Sequence, residues 1–280
     1  MDTVEAILVA LLQGATELFP VSSLGHAVVL PAVLHWSLDQ RSPAFLPFVV
    51  MLHAGTATAL LAYFWRDWWG LARGVLGIGD NQSVNDARLA FVMVVIATIP
   101  AVVLGFLLEK FVRNLFGAPV VAAAFLAVNG LLLLFGERLR TRVGSSGKPM
   151  EMLTARDAFV IGCFQCLAFI PGLSRSGATM VGGLLRGITH EGSAHFSFLI
   201  ATPVIVGATV LEVPKLLHAS VPAGTFQLSL VAAVVAGVTA WLSTWFLMHY
   251  FRRNEDWALN PFGYYCLAAG VLSCGWLVAF

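Results

Sequence analysis

Charge is what this sequence has least of: its 280 residues include 16 Lys and Arg and 15 Asp and Glu, together 11%. A soluble domain carries roughly one-quarter charged residues, so that class is excluded first. No long basic block stands out from the apolar background, and the net charge is +1, which leaves no electrostatic footprint for nucleic acid. The N-terminus, Met1-Asp2-Thr3-Val4-Glu5, is acidic where a secretory signal carries its positive region, so no cleaved signal is read and the first segment is expected to remain in the mature protein. Cysteine is scarce as well, with 4 in the chain. Cys163 and Cys166 have C-x-x-C spacing but no second pair nearby, so small-residue packing is the simpler reading than a redox or metal motif. Cys266 and Cys274 read as ordinary residues of an apolar span.

What the sequence has is hydrophobic length. Hydrophobic residues make up 59%, and six stretches approach the ~20 apolar residues that a helix of 1.5 Å rise needs to cross a bilayer. They run from about Phe45 to Phe64, Leu89 to Leu108, Ala118 to Phe135, Phe196 to Leu217, Phe226 to Phe251 and Pro261 to Phe280. No soluble domain fits between them. The fold class expected is an all-α, polytopic membrane protein forming a single integral membrane domain over residues 1–280.

Two further apolar segments, about 4 to 35 and 158 to 187, are broken in the middle by Pro, Gly and Ser and read as re-entrant hairpins. Irregular backbone at membrane depth survives only where protein or a polar cavity satisfies its N–H and C=O groups, so each break predicts a site. The breaks resemble each other. Gln13 precedes Pro20-Val21-Ser22-Ser23-Leu24-Gly25, Gln165 precedes Pro171-Gly172-Leu173-Ser174-Arg175-Ser176-Gly177, and in both a Ser follows Pro by three. Three spans follow each break, which predicts a duplication, with one repeat over about 1–136 and another over about 155–280. An odd number of spans per repeat inverts the second copy. The loops 66–88, 137–157 and 252–256 hold ten basic residues, against Arg41, Lys110, Arg113 and Lys215 on the other side. The basic side is read as cytoplasmic, which puts both termini in the periplasm, with the first hairpin opening outward and the second inward.

The first break puts Glu17, Ser22, Ser23 and His26 within ten residues, and the second places Arg175 among Ser174, Ser176, Gly177 and Thr179 just before a helix restarts. Ionisable groups at membrane depth mark substrate or proton pathways rather than lipid contacts. Free N–H groups at a helix start, with the planar donor fork of Arg, form an anion site. The bland alternative is a structural ion pair of Arg175 with Glu17, which would line the same cavity. His53, alone in a span, reads as a helix–helix hydrogen bond, and His190 and His195 read as members of a solvated loop.

Gln13 to His26 and Pro171 to Thr179 resemble the two signatures of the undecaprenyl-diphosphate phosphatase family, also called the bacitracin-resistance family, E-G-x-T-E-F-L-P-V-S-S-x-G-H and P-G-x-S-R-S-G-x-T. Gly162-Cys163-Phe164-Gln165-Cys166-Leu167-Ala168 and Phe196-Ser197-Phe198-Leu199 share the family's look, and the resemblance covers nearly the whole chain. It implies hydrolysis of undecaprenyl diphosphate to the monophosphate and phosphate, recycling the carrier for peptidoglycan in a bacterial inner membrane and conferring bacitracin resistance. The partners it implies are the polyprenyl diphosphate, membrane lipid and a second copy of the chain as a homodimer.

On that resemblance Arg175 is the phosphoryl clamp, with Ser22, Ser174, Ser176, Gly177 and Thr179 binding substrate. His26 is the acid or base, and Glu17 binds a cation or orients His26. Attack by Ser23, by His26 and by an activated water all remain open. A magnesium or calcium ion is implied, but the signature's first glutamate is Gln13 here, a weaker ligand beside Glu17. The competing expectation from the same architecture is a polyprenyl-phosphate transporter or flippase.

Overall fold

The computed structural model describes residues 3–36, 45–115, 118–143, 147–218 and 225–279, and these are helical without a strand. In chain order, α1 (Thr3–Thr16) and α2 (Ser23–Val33) form the first broken hairpin. They are followed by α3 (Phe45–Tyr63), α4 (Trp65–Val75), α5 (Asn81–Leu115) and α6 (Pro119–Val143). The second hairpin is α7 (Ala155–Gln165) and α8 (Arg175–Leu185), and α9 (His190–His218), α10 (Thr225–Arg253) and α11 (Asn260–Ala279) complete the chain. Helices α5, α6, α9, α10 and α11 are long and apolar enough to span a bilayer, and α3 with α4 passes the same test as a pair bent by 74°. The chain is therefore a polytopic all-α membrane protein. Its outer face carries Val102, Phe106, Leu107, Val210, Leu211 and Leu272, all highly exposed in water and matched to hydrocarbon.

The stretch 66–88, expected as a loop, instead contains α4 and the start of α5. Helix α4 turns sharply away from α3, buries Leu71 and Gly74 and exposes Trp65 and Trp69. The Arg66 guanidinium lies 5.5 Å from the centre of the Trp65 ring. Trp and Arg on an amphipathic helix are side chains suited to a headgroup boundary, and a composition-based reading of the span cannot see the bend.

The hairpins lean on the far half of the chain. Helix α1 packs on α10 and α7 packs on α5, and both contacts need glycine, because a Cβ on Gly14 or Gly162 would strike the Ala236 or Ala97 carbonyl. At the mouth of the second hairpin the buried Asp157 accepts from Lys148 Nζ at 2.6 Å and Arg186 Nε at 2.6 Å. Asp157 also completes a capping box with Thr154 at the start of α7. Lys148 N donates to Gly187 O and Thr189 N to Lys148 O, stitching both ends of the hairpin to one loop. Of the basic residues used to orient the chain, Arg41 and the side chains of Lys110, Arg113, Arg142 and Lys215 lie outside the described residues.

Candidate active site

The two breaks meet. Helices α2 and α8 both begin at an N-cap serine followed by S-x-x-G chemistry, with Ser22 Oγ accepting from Gly25 N at 3.1 Å and Ser174 Oγ accepting from Gly177 N at 3.1 Å. The structural partners are thus Ser22 and Ser174, not Ser23 and Ser174 as counting from proline suggests. The next position, the first of each helix, is Ser23 in one and Arg175 in the other. Ser22 takes φ 68°, a left-handed backbone that is uncommon outside glycine and costs about 1–3 kcal/mol. The strained turn sets Ser23 at the first position of α2.

Glu17 lies in the turn after α1 and is 8% exposed. Its Oε1 accepts from Arg175 Nη2 at 2.8 Å. Its Oε2 accepts from Ser23 Oγ at 2.5 Å and from Gln13 Nε2 at 3.0 Å, and His53 Nε2 lies 3.5 Å from the same oxygen. The ion pair between Arg175 and Glu17 forms, and it joins the two hairpins. Arg175 Nη1 also donates to Ser197 O at 3.4 Å, and Thr179 Oγ1 contacts Ser197 Oγ at 2.6 Å, which fixes α8 against α9.

Among the expected substrate-binding residues, the side-chain hydroxyls are used within the protein. Those of Ser22 and Ser174 cap helices, Ser176 Oγ donates to Phe19 O at 2.9 Å, and Thr179 Oγ1 donates to Arg175 O at 2.8 Å. Gly177 gives its N–H to the Ser174 cap. These groups shape the two helix starts. His26 does not touch Glu17, which corrects the expectation that Glu17 orients it. Its Nδ1 meets Ser22 O at 2.7 Å and its Nε2 meets the Tyr265 hydroxyl at 2.9 Å, with the two rings stacked.

Two residues of the site were passed over in the sequence. Asn129, fully buried in α6, clasps both turns: Nδ2 donates to Pro20 O at 2.9 Å and Oδ1 accepts from Ser174 N at 2.9 Å. His53 gives its Nδ1–H to Val49 O at 2.8 Å on its own helix and turns Nε2 to Glu17, so it is not a helix–helix tie. In both cases the signal available was a polar residue inside an apolar span. His190 and His195 are not in a solvated loop either. His190 is fully buried between Glu137 at 2.9 Å and Glu255 at 3.3 Å, while His195 pairs with Asp67 at 3.2 Å and stacks on Phe64. Neither is among the contacts of Glu17.

The donor set does not fit a protein-held divalent cation. Such a cation wants six or more oxygen ligands, and among the described residues no group of three His, Cys, Asp or Glu could hold a metal ion. Gln13 turns its amide nitrogen to Glu17 Oε2, where a shared cation would otherwise sit. Cys163 is exposed and Cys166 half-buried, both as free thiols, so neither is packed in the core.

The sequence model of the bacitracin resistance protein BacA matches residues 6–272. Among similar proteins, the undecaprenyl-diphosphatase of Granulibacter bethesdensis is 60% identical over 99% of this chain and 97% of its own length. That of Acidiphilium cryptum is 59% identical over 98% of this chain and 97% of its own. That of Mycolicibacterium paratuberculosis is 42% identical over 99% and 98%.

Proposed function

The chain belongs to the bacitracin resistance protein family, and from that membership we propose that it is an undecaprenyl-diphosphatase of the bacterial inner membrane. It hydrolyses undecaprenyl diphosphate to undecaprenyl phosphate and inorganic phosphate, which recycles the lipid carrier for cell-wall synthesis and confers bacitracin resistance. The observation that carries the chemistry is one carboxylate, Glu17, holding the hydroxyl of Ser23 at 2.5 Å on one oxygen and the guanidinium of Arg175 at 2.8 Å on the other, between two facing helix starts.

In this reading the polyprenyl tail stays among lipid chains and the diphosphate enters between α2 and α8. Arg175 has five N–H donors, so pairing with Glu17 leaves others for the phosphoryl oxygens. Together with the N-terminal N–H groups of α2 and α8, it neutralises charge that grows during transfer, where low dielectric strengthens each contact. Ser23 Oγ attacks the terminal phosphorus and its proton passes to Glu17 Oε2. The bond from phosphorus to the bridging oxygen breaks, and its electrons leave with undecaprenyl phosphate. Water then attacks the phosphoserine, the proton returns to Ser23 Oγ, and inorganic phosphate departs. Ser23 is preferred over His26 because both ring nitrogens of His26 are already engaged. His26 and Ser22 hold the strained turn from behind. A divalent cation would be carried in by the diphosphate oxygens, with Glu17 beside it, and no step here passes through it.

The finer placement is part of the same proposal. The basic loops face the cytoplasm, both termini face the periplasm, the two hairpins are halves of an inverted repeat, and two copies associate as a homodimer. The deciding experiment is phosphate release from undecaprenyl diphosphate by detergent-purified protein, with Arg175→Ala alongside. Release that falls by about 10²–10³-fold in the variant is expected for loss of a charge-stabilising donor. No release from folded wild-type protein would replace the phosphatase by the transporter reading.

A further inference from the structure

The turn that carries Ser23 is braced by the last helix of the chain. Helix α11 lies against α6 along glycines: a Cβ on Gly130 would come within 2.6 Å of the Gly263 carbonyl, and one on Gly270 within 2.3 Å of Ala127 N. Backbones packed this closely leave little play between the two helices. Three residues on one face of α11, spaced i, i+3 and i+4, then reach the turn between α1 and α2. Phe262 meets Phe19 edge-on with ring centres 5.6 Å apart, Cys266 Sγ lies 3.9 Å from Pro20 O, and Tyr265 stacks on His26 with ring centres 5.7 Å apart and planes within 4°. The first contact is apolar and the second weak, so the strong polar contact on this face is the Tyr265 hydroxyl.

The direction of that contact follows from its neighbours. Ser22 O is an acceptor only and takes both His26 N at 3.2 Å and His26 Nδ1 at 2.7 Å, so Nδ1 carries a proton. In the neutral ring Nε2 is then a lone pair, and the Tyr265 hydroxyl donates to it at 2.9 Å. This chain of hydrogen bonds ends on Ser22, whose φ of 68° persists only where the surroundings over-determine it. The next residue is Ser23, which gives its hydroxyl to Glu17 at 2.5 Å. We propose that Tyr265 is a positioning residue of the reaction, a deduction that rests on the phosphatase reading above: by donating to His26 Nε2 it holds the imidazole that clamps the Ser22 carbonyl, and so keeps Ser23 Oγ aimed at phosphorus. Tyr265 moves no proton in this role. It is 49% exposed, and loss of its hydroxyl leaves the ring and its stack in place, so Tyr265→Phe changes one hydrogen bond and little else.

The test measures steady-state phosphate release from undecaprenyl diphosphate for wild type, Tyr265→Phe, His26→Asn and the double variant, with folding monitored by thermal unfolding in detergent. His26→Asn keeps an amide N–H near the place of Nδ1 for Ser22 O and removes the nitrogen that Tyr265 reaches. Expected for Tyr265→Phe is a fall in kcat of about tenfold with KM within about twofold, because a misaimed nucleophile slows the transfer and leaves binding alone. In the His26→Asn background the same substitution is expected to change kcat by less than about twofold, since a residue that acts through His26 has nothing left to act on. A merely structural tyrosine would lower both backgrounds alike. Wild-type kcat in Tyr265→Phe, a loss confined to KM, or a second tenfold loss in the double variant overturns the positioning role and leaves the phosphatase intact. If His26→Asn alone releases no phosphate, the kcat and KM of Tyr265→Phe decide the matter. Failure of folded wild type to release phosphate removes the phosphatase reading, and the role of Tyr265 with it.

Discussion

Asn129 has the most to lose from a small change. Its neighbours along the span are Val, Ala, Leu, Phe and Gly, yet one amide holds the Pro20 carbonyl and the Ser174 N–H, and so holds the two helix starts in register. Replacing it with Leu leaves the Ser174 N–H buried without a partner and the Pro20 carbonyl with only the weak Cys266 thiol at 3.9 Å, at about 1–3 kcal/mol for an unmet buried group. Because a displacement of about 1 Å at a reacting centre can cost 10²-fold in rate, Asn129→Leu is expected to lower both detergent thermal stability and kcat, the latter by tenfold or more. Asn129→Asp keeps the acceptor for Ser174 and should retain more of both; equal damage from the two would contradict the clasp. Gln13 offers an opposite change. Gln13→Glu places a second carboxylate against Glu17 Oε2, where the amide now donates at 3.0 Å, and that repulsion is relieved by a bound cation. Activity of the variant is expected to depend more steeply on magnesium or calcium than that of wild type; identical titrations of the two would count against the account of the donor set. At this scale the sequence was legible where residues cluster in a turn, as Glu17 and Ser23 do. It was not legible at His53 and Asn129, which come to the turns from distant helices and meet them only in three dimensions.

The elements that carry the site are held by their ends. Asp157 closes the mouth of the second hairpin by joining Lys148, Arg186 and the α7 cap. Burial opposes its charge, but the Lys148 ammonium, the Arg186 guanidinium and the Thr154 donors outweigh it and hold the carboxyl well below the usual range. A carboxylate depressed in the folded state contributes stability above its unfolded value of about 4, and loses it only as pH falls through the lower folded value. Asp157→Asn should therefore lower stability at pH 7 by about 2 kcal/mol, less than the roughly 3–5 of a fully buried pair, since Lys148 and Arg186 keep some water contact. The gap from wild type should narrow in strong acid, as thermal unfolding across pH would show; a gap independent of pH would assign the loss to packing. The hairpins themselves were readable because Pro, Gly and Ser interrupt apolar runs in both. The bend between α3 and α4 was not, since Phe64 and Trp65 are apolar on both sides of it and only packing decides where the chain turns.

For the molecule as a whole, hydrophobic runs of membrane length sufficed to predict the spans, because every backbone group in lipid must be satisfied within a helix. The way the halves interlock, α1 on α10 and α7 on α5, depends on close approaches at Gly14 and Gly162 that composition does not reveal. The proposed orientation is testable with a cysteine at Gln82, in the basic-side region at the start of α5. A membrane-impermeant maleimide should reach it in inverted vesicles and not in intact spheroplasts; the reverse would turn the topology over. The central claim is that the two broken hairpins form one phosphoryl-transfer centre with Ser23 as its nucleophile. Undecaprenyl diphosphate labelled in its terminal phosphate, mixed with the detergent-purified protein and quenched within the first turnovers, tests it most directly. Covalent label on Ser23, absent from Ser23→Ala and reduced in Arg175→Ala, is the predicted result, while label on His26 or undiminished phosphate release by Ser23→Ala would contradict it.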